Sequence, residues 1–145
     1  MPRIKMSASE IQYANFLSEL TDSLPKDCVW DEERHRIIFV THPGQIGKII
    51  GKGGETIRRV REQMDKDIDV VEYAEKAERF AVNALTPARI RKATLEERGG
   101  KKVVQVTMAT REKGRAIGKG GRNIARARLL LKRHFNIEDI VITTD

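Results

Sequence analysis

The sequence predicts an α+β protein made of two copies of one small domain, each with the order helix, strand, strand, helix, helix, strand and a three-stranded sheet. Residues 47–61 and 114–128 are identical at nine of fifteen positions when offset by 67 residues. Both segments contain Gly-Lys-Gly-Gly, and similar amphipathic and β-branched runs flank each of them. Because 145 residues suffice for two very small domains, we expect them to span residues 1–74 and 75–145.

The first copy begins with a helix, because Ser7 and Glu10 form a capping-box pattern ahead of an apolar face. Pro25 is expected to end this helix. The apolar face contains Tyr13, Phe16, Leu17, Leu20 and Leu24. The following elements are predicted to be strands at 28–31 and 36–41, a short helix at 43–50, a helix with Ile57, Val60 and Met64 on one face, and a strand at 68–73.

The second copy repeats this order of elements. We expect a helix at 75–85, strands at 89–97 and 101–108 around a Gly-Gly turn, a short helix at 111–117, a long helix at 122–135 and a strand at 137–142. The long helix should face inward with Ile124, Ala127, Leu131 and Phe135.

Positive charge is concentrated in the second half of the chain. Residues 1–74 carry 11 Lys and Arg against 13 Asp and Glu, a net charge of −2, whereas residues 75–145 carry 17 against 8, a net charge of +9. A basic domain favours a polyanionic partner such as nucleic acid. The second copy is therefore expected to be the stronger electrostatic site, and the acidic first copy could instead face a protein.

The Gly-Lys-Gly-Gly loops do not match nucleotide-binding motifs. Gly47 and Gly51 are separated by three residues where the P-loop needs four, and Thr56 stands where a dinucleotide-binding loop needs its third glycine. What remains is a G-x-x-G turn between two helices. Such a turn lets the backbone approach a ligand closely, and the N-terminus of the following helix favours a phosphate.

Candidate contact residues are the two loops, the residue before each loop and the arginines after it. Lys52 and Lys119 add a mobile cation to each loop, and an apolar groove beside them is expected from Ile46, Ile49, Ile50, Ala116 and Ile117. The predicted site residues are Ile50, Gly51, Lys52, Gly53, Gly54, Arg58, Ile117, Gly118, Lys119, Gly120, Gly121, Arg122 and Arg126.

Ile-Gly-Lys-Gly-Gly-x-x-Ile after a short helix resembles the KH family in its helix-first, prokaryotic (type II) form. Residues 83–88, Asn-Ala-Leu-Thr-Pro-Ala, ahead of the second motif resemble the second KH domain of NusA-like transcription factors. This resemblance implies binding of single-stranded RNA by residues 51–54 and 118–121. The N-terminal and OB-fold domains of bacterial NusA are not found, so the short archaeal type is expected.

The resemblance leaves the biological process open between two classes. One is a factor in transcription elongation, termination or antitermination, with RNA polymerase as a candidate partner. The other is a ribosome-associated or ribosome-assembly protein in which the KH pair is an interaction module. A tagged copy that recovers polymerase with nascent transcripts, or ribosomal subunits, distinguishes them.

The sequence offers no catalytic or metal-binding set. His35, His42 and His134 are scattered, and Cys28 is the one cysteine, which excludes an internal disulfide. No apolar run reaches the roughly 20 residues of a membrane span, and the N-terminus does not resemble a signal peptide. We therefore expect a cytoplasmic protein without cofactor or membrane partner that is not an enzyme. The sequence leaves the oligomeric state open, with a monomer favoured.

Overall fold

The computed structural model describes residues 4–145 and divides the chain into two compact units. We call Lys5–Tyr73 the N-terminal unit and Ala74–Asp145 the C-terminal unit. The N-terminal unit contains α1 (Ala8–Thr21), β1 (Asp27–Asp31), β2 (Arg36–Thr41), α2 (Ile46–Ile50), α3 (Glu55–Met64) and β3 (Asp67–Glu72). The C-terminal unit contains α4 (Ala77–Ala84), β4 (Lys92–Arg98), β5 (Lys101–Met108), α5 (Lys113–Ile117), α6 (Arg122–Phe135) and β6 (Asp139–Thr144).

Each unit contains one three-stranded sheet, which confirms the predicted α+β class and element order. In the N-terminal unit, β2 lies in the centre, antiparallel to β1 and parallel to β3. The C-terminal sheet repeats this arrangement with β5 in the centre. Parallel neighbours need a crossover connection. That crossover is the helix–loop–helix segment that carries Gly-Lys-Gly-Gly in each unit, so the sheet fixes where the loop lies.

The N-terminal core lies between its sheet and helices. Every residue of β2 is buried, as the run Ile-Ile-Phe-Val predicts for a central strand. Phe39 packs in one cluster with Leu17 of α1, Ile49 of α2 and Val60 of α3. The two helices that flank the loop are thereby anchored by aliphatic side chains.

The capping box predicted for α1 is present, but its apolar face is narrower than expected. Ser7 accepts a hydrogen bond from the Glu10 N–H, and the Glu10 carboxylate accepts one from the Ser7 N–H. The helix ends at Thr21 with Asp22 in the left-handed conformation, before Pro25 is reached. Leu24 therefore lies beyond the helix and is 57% exposed, and Phe16 is 37% exposed.

Several predicted bounds move by two or three residues. The short helix α2 begins at Ile46 rather than residue 43, α4 begins at Ala77, and β4 begins at Lys92 rather than residue 89. The helix predicted at 111–117 is a 3-10 turn at Thr110–Glu112 followed by α5. Helix α6 has the predicted bounds, and Asn136 in the left-handed conformation ends it.

Candidate nucleic-acid interface

The two Gly-Lys-Gly-Gly loops have the same backbone conformation. Gly51 and Gly118 have φ/ψ of 75°/171° and 78°/168°, and Gly53 and Gly120 have 62°/19° and 62°/20°. The last glycines, at 54 and 121, both have left-handed values. Three positive-φ positions in four residues favour glycine over any residue with a Cβ. The repeated sequence therefore encodes a repeated shape.

The first glycine of each loop is also required by a close approach. A Cβ atom added to Gly51 would lie 2.8 Å from the backbone nitrogen of Thr56, and one added to Gly118 would lie 2.9 Å from that of Asn123. At Gly53, by contrast, an added Cβ would meet nothing within 4 Å. The first glycine thus allows the loop to pack against the helix that follows, while the third residue of the loop faces open space.

Each loop leads directly into the N-terminus of a helix. Gly54 precedes α3 and Gly121 precedes α6, and neither helix has a side-chain cap. Backbone N–H groups and the positive end of the helix dipole are available there to an anion. Glu55 lies in the first turn of α3, whereas the first turn of α6 has no acidic residue. The second loop is therefore the more electropositive.

The structure exposes the loop lysines and half-buries the isoleucines before the loops. Lys52 and Lys119 are exposed, as is Arg58, while Ile50 and Ile117 are half-buried at the ends of the short helices. Arg122, at the start of α6, is also half-buried. The exposed lysines leave the surface of each loop positively charged.

The apolar groove expected beside the loops is smaller than the sequence indicated. Ile49 and Ala116 are completely buried and belong to the cores. Their neighbours Ile46, Ile50 and Ile117 are half-buried and can offer apolar surface to a ligand. A five-residue helix turns one side inward, so adjacent positions cannot all face the groove.

Arg126 does not have the position expected of a phosphate contact. Its side chain is buried, with a relative exposure of 7%. Its Nε and Nη2 atoms donate to the Ala84 carbonyl at 3.0 and 2.9 Å, and Nη2 also donates to the Thr86 carbonyl at 2.7 Å. Arg126 was expected to bind RNA, but in the structure its guanidinium instead binds the carbonyl groups at the end of α4.

Asn123 is a site-forming residue that the sequence comparison did not single out. Its Nδ2 atom donates to the backbone carbonyl of Arg115 at 2.8 Å and so connects α6 to α5 across the loop. The corresponding residue in the first copy is Thr56. In the sequence, the role of Asn123 was indicated only by this difference between the two repeats.

Comparison with known proteins identifies the family. The model of the NusA-like second KH domain matches residues 77–145, and a KH domain model matches residues 10–91. The "Probable transcription termination protein NusA" of Halococcus morrhuae is 33% identical over 95% of this chain and 97% of that protein. This chain is a short NusA-like protein of the KH family.

Other relatives extend this family assignment. The protein of the same name from Methanocaldococcus jannaschii is 30% identical over 100% of this NusA-like chain and 78% of its own length. The "Transcription termination/antitermination protein NusA" of Helicobacter pylori is 30% identical over 74% of this chain and only 33% of that protein. A crystal structure of APE1850 has a TM-score of 0.84 and 38% identity, covering 95% of this chain and 100% of that one.

Within residues 4–145, no group of three or more His, Cys, Asp or Glu side chains is arranged to hold a metal ion. Over the same residues, none of the helices combines the length and apolarity needed to cross a bilayer.

Proposed function

We propose that this NusA-like protein binds single-stranded RNA through its two Gly-Lys-Gly-Gly loops and acts in transcription elongation or termination. One observation carries the proposal: two loops 67 residues apart have the same backbone conformation, and each joins an exposed lysine to an uncapped helix N-terminus. KH modules clamp about four nucleotides of backbone with a loop of this kind. We assign residues 1–74 to the first KH domain and 75–145 to the second.

The chemistry of each loop suits a sugar-phosphate backbone. Glycines at the loop surface let phosphates approach the main chain, and the helix N–H groups supply donors that do not depend on base identity. Lys52 and Lys119 contribute point charges that can follow a flexible strand. The half-buried Ile50 and Ile117 offer apolar contact to bases. The fold therefore supports a backbone clamp with limited base reading at each loop.

We propose that the second loop is the stronger of the two. The C-terminal half carries a net charge of +9, against −2 for the N-terminal half. Glu55 in the first turn of α3 also repels phosphate at the helix end where the first loop would bind it. The first loop then depends more on shape, or on a protein partner.

The process is proposed from the relatives, several of which are named transcription termination proteins. RNA polymerase is the expected protein partner. Affinity purification of the tagged protein from cells tests this part of the proposal. Recovery of polymerase with nascent RNA supports it, whereas enrichment of ribosomal subunits without polymerase supports the ribosome-associated alternative.

The clamp itself is tested with the double variant K119D/G120D. Asp tolerates the left-handed conformation better than most residues, and a Cβ at Gly120 meets nothing within 4 Å, so the fold should persist. Two carboxylates beside phosphate should lower the affinity for single-stranded RNA at least about tenfold, by about 1.4 kcal/mol or more. Fluorescence anisotropy with a labelled oligonucleotide measures this change.

The matched control is K119N/G120N, which has the same shape and adds no negative charge. Its affinity for RNA should lie between that of the wild type and that of the aspartate variant. K52D/G53D, the same change in the first loop, should lower the affinity for RNA less than K119D/G120D does. For the wild type, neutralisation of about four to six phosphates predicts a log–log salt slope of about −3 to −4 for a single strand. Unchanged binding by K119D/G120D would show that the loop is not the clamp.

A further inference from the structure

A cavity in the C-terminal unit carries excess positive charge outside the Gly-Lys-Gly-Gly loop. It has a volume of about 220 Å³. Its lining residues include three arginines and one glutamate: Arg89, Ile90, Arg91, Ala109, Arg111 and Glu112. The cavity is smaller than the roughly 300–1,000 Å³ of clefts that enclose drug-sized ligands. Its size and charge suit a single phosphate group rather than a whole nucleotide.

The one carboxylate in this lining is already engaged by the protein. Glu112 is buried, its Oε1 atom accepts a hydrogen bond from the Arg89 backbone N–H at 2.9 Å, and the Arg115 guanidinium lies 3.8 Å away. Arg91 forms an ion pair with Asp145. The side chains of Arg89 and Arg111 are exposed, and no ion pair joins either of them to a carboxylate in residues 4–145.

The cavity lies at the same end of the sheet as the second loop. Strand β5 ends at Met108, and the chain passes through the cavity wall at 109–112 into α5 and then the loop. Direct contacts complete this connection. Glu112 lies beside Arg115, the Arg115 carbonyl accepts from Asn123, and the Asn123 backbone abuts Gly118. The wall of the cavity and the second loop are therefore connected both along the chain and through side-chain contacts.

The N-terminal unit provides an internal comparison. The Arg91 N–H donates to the Thr107 carbonyl just as the Lys26 N–H donates to the Val40 carbonyl, each at 2.8 Å. By this register Arg89 corresponds to Leu24, and by the repeat offset Arg111 corresponds to Gly44. Neither Arg89 nor Arg111 has a basic counterpart in the N-terminal unit, so the feature belongs to the C-terminal unit alone.

We propose that Arg89 and Arg111 form a phosphate pocket that receives a backbone phosphate of the RNA strand beyond the nucleotides held by the second loop. This inference rests on the proposed function of that loop. Both arginines line the same cavity, and a guanidinium group can form charge-assisted, bidentate hydrogen bonds with a phosphate. The pocket lengthens the RNA footprint of the C-terminal unit and adds to its advantage over the N-terminal unit.

The test compares the affinity of the variant R89Q/R111Q for a short and for a longer single-stranded RNA. A single-stranded RNA of about four nucleotides occupies only the loop. The affinity of the variant for this short RNA should therefore stay within about twofold of the wild-type affinity. For one of about twelve residues, loss of charge-assisted bonds should lower the affinity about tenfold. The log–log salt slope for the longer RNA should also become shallower by about 0.7, the value for one phosphate.

K101Q/K102Q is the matched control, because it removes two exposed positive charges at the opposite end of β5. It should change the affinity for the longer RNA less than twofold. If the double variant does not fold, the single variant R111E, at an exposed position of the 3-10 turn, replaces it. R111E should lower the affinity for the longer RNA only. Amide hydrogen exchange of β5 and α6 verifies the fold of each variant.

The outcomes separate the pocket from the loop. If K119D/G120D weakens both RNAs but R89Q/R111Q and R111E weaken neither, the pocket proposal is overturned and the loop remains the clamp. If K119D/G120D weakens neither RNA, the proposed function fails first. Titration with inorganic phosphate, followed by the arginine side-chain NMR signals, completes the test. Phosphate binding that needs Arg89 and Arg111, without any effect of RNA length, would make the cavity a small-anion site and overturn its assignment to RNA.

Discussion

The guanidinium of Arg126 contacts the carbonyl oxygen of Ala84 through both its Nε atom, at 3.0 Å, and its Nη2 atom, at 2.9 Å. The bond fixes α6 to the last turn of α4. Arg59 occupies the same position of the first repeat, yet its side chain is exposed. The same residue type at the same repeat position therefore has a structural role in one unit and faces solvent in the other.

We expect R126A to destabilise the C-terminal unit without changing its electrostatic contact with RNA. The substitution leaves two backbone acceptors without their donor, which costs about 1–3 kcal/mol for each buried group. Native-state hydrogen exchange of the β5 amides measures the stability of this unit. At a temperature where the variant is folded, the log–log salt slope of RNA binding should equal that of the wild type.

R128A is the control for this prediction, because Arg128 lies two residues further along α6 in an exposed ion pair with Asp139. Exposed pairs contribute about 1 kcal/mol or less. A slope that becomes shallower by about 0.7 in R126A, with stability unchanged, would instead indicate a lost phosphate contact.

A second prediction concerns Arg36, which is completely buried on the central strand β2. Its Nε atom lies 2.8 Å from the Asp31 carboxylate, and its Nη1 atom lies 2.9 Å from that of Asp69. R36A leaves two largely buried carboxylates without their cation and should cost about 3–5 kcal/mol. Urea unfolding followed by the fluorescence of Trp30, the single tryptophan of the chain, reports on this unit.

R34A is the matched control for R36A. The ion pair of Arg34 with Glu33 is more exposed, so its loss should cost about 1 kcal/mol or less. A cost below about 1 kcal/mol for R36A as well would mean that water replaces the guanidinium around these carboxylates in the folded unit.

The order of elements could be predicted because each signal was local. Ser7 and Glu10 mark the start of α1, and the run after Arg36 marks a buried strand. The second copy repeats the central strand in β5, although its first helix, α4, has no side-chain cap. The end of α1 was placed too late because Asp22 adopts the left-handed conformation, an arrangement that the expected stop at Pro25 did not reveal. A C-cap of this kind depends on one residue, and the same residue type often occurs in sequences where it does not end a helix.

Side-chain roles around the site were harder to predict than the loops. The loop glycines carry their own conformational signature. Whether an arginine is exposed depends on the segment that packs over it, and Arg126 meets carbonyls some forty residues earlier in the chain. Arg89 and Arg111 likewise come together through the pairing of β4 with β5, which sequence spacing does not reveal.

A third prediction separates two glycines of one loop. Gly51 has φ/ψ of 75°/171°, a region that only glycine occupies readily, and an added Cβ would lie 2.8 Å from the Thr56 nitrogen. We expect G51A to destabilise the N-terminal unit by about 3 kcal/mol. G53A, in open space with left-handed φ, should cost about 1–2 kcal/mol. Trp30 fluorescence in urea measures both. Equal costs would mean that the close approach of the loop to α3 relaxes freely.

The last prediction is a pH dependence that originates at Glu112. The hydrogen bond from the Arg89 backbone N–H, reinforced by the Arg115, Arg111 and Arg89 side chains, holds the pKa of Glu112 below its ordinary value of 4.5. A carboxyl whose folded pKa is depressed binds protons more readily in the unfolded chain. Its stabilisation is therefore complete well above pH 4.5 and disappears as the pH falls through the lower folded pKa.

E112Q should accordingly be less stable than the wild type at pH 7, and the difference should shrink as the pH falls below 4.5. Hydrogen exchange of the C-terminal unit, measured as a function of pH, follows both proteins. E97Q, at an exposed position of β4, is the matched control and should stay close to the wild type at pH 7. A constant difference between E112Q and the wild type over this range would mean that Glu112 acts through packing and not through its charge.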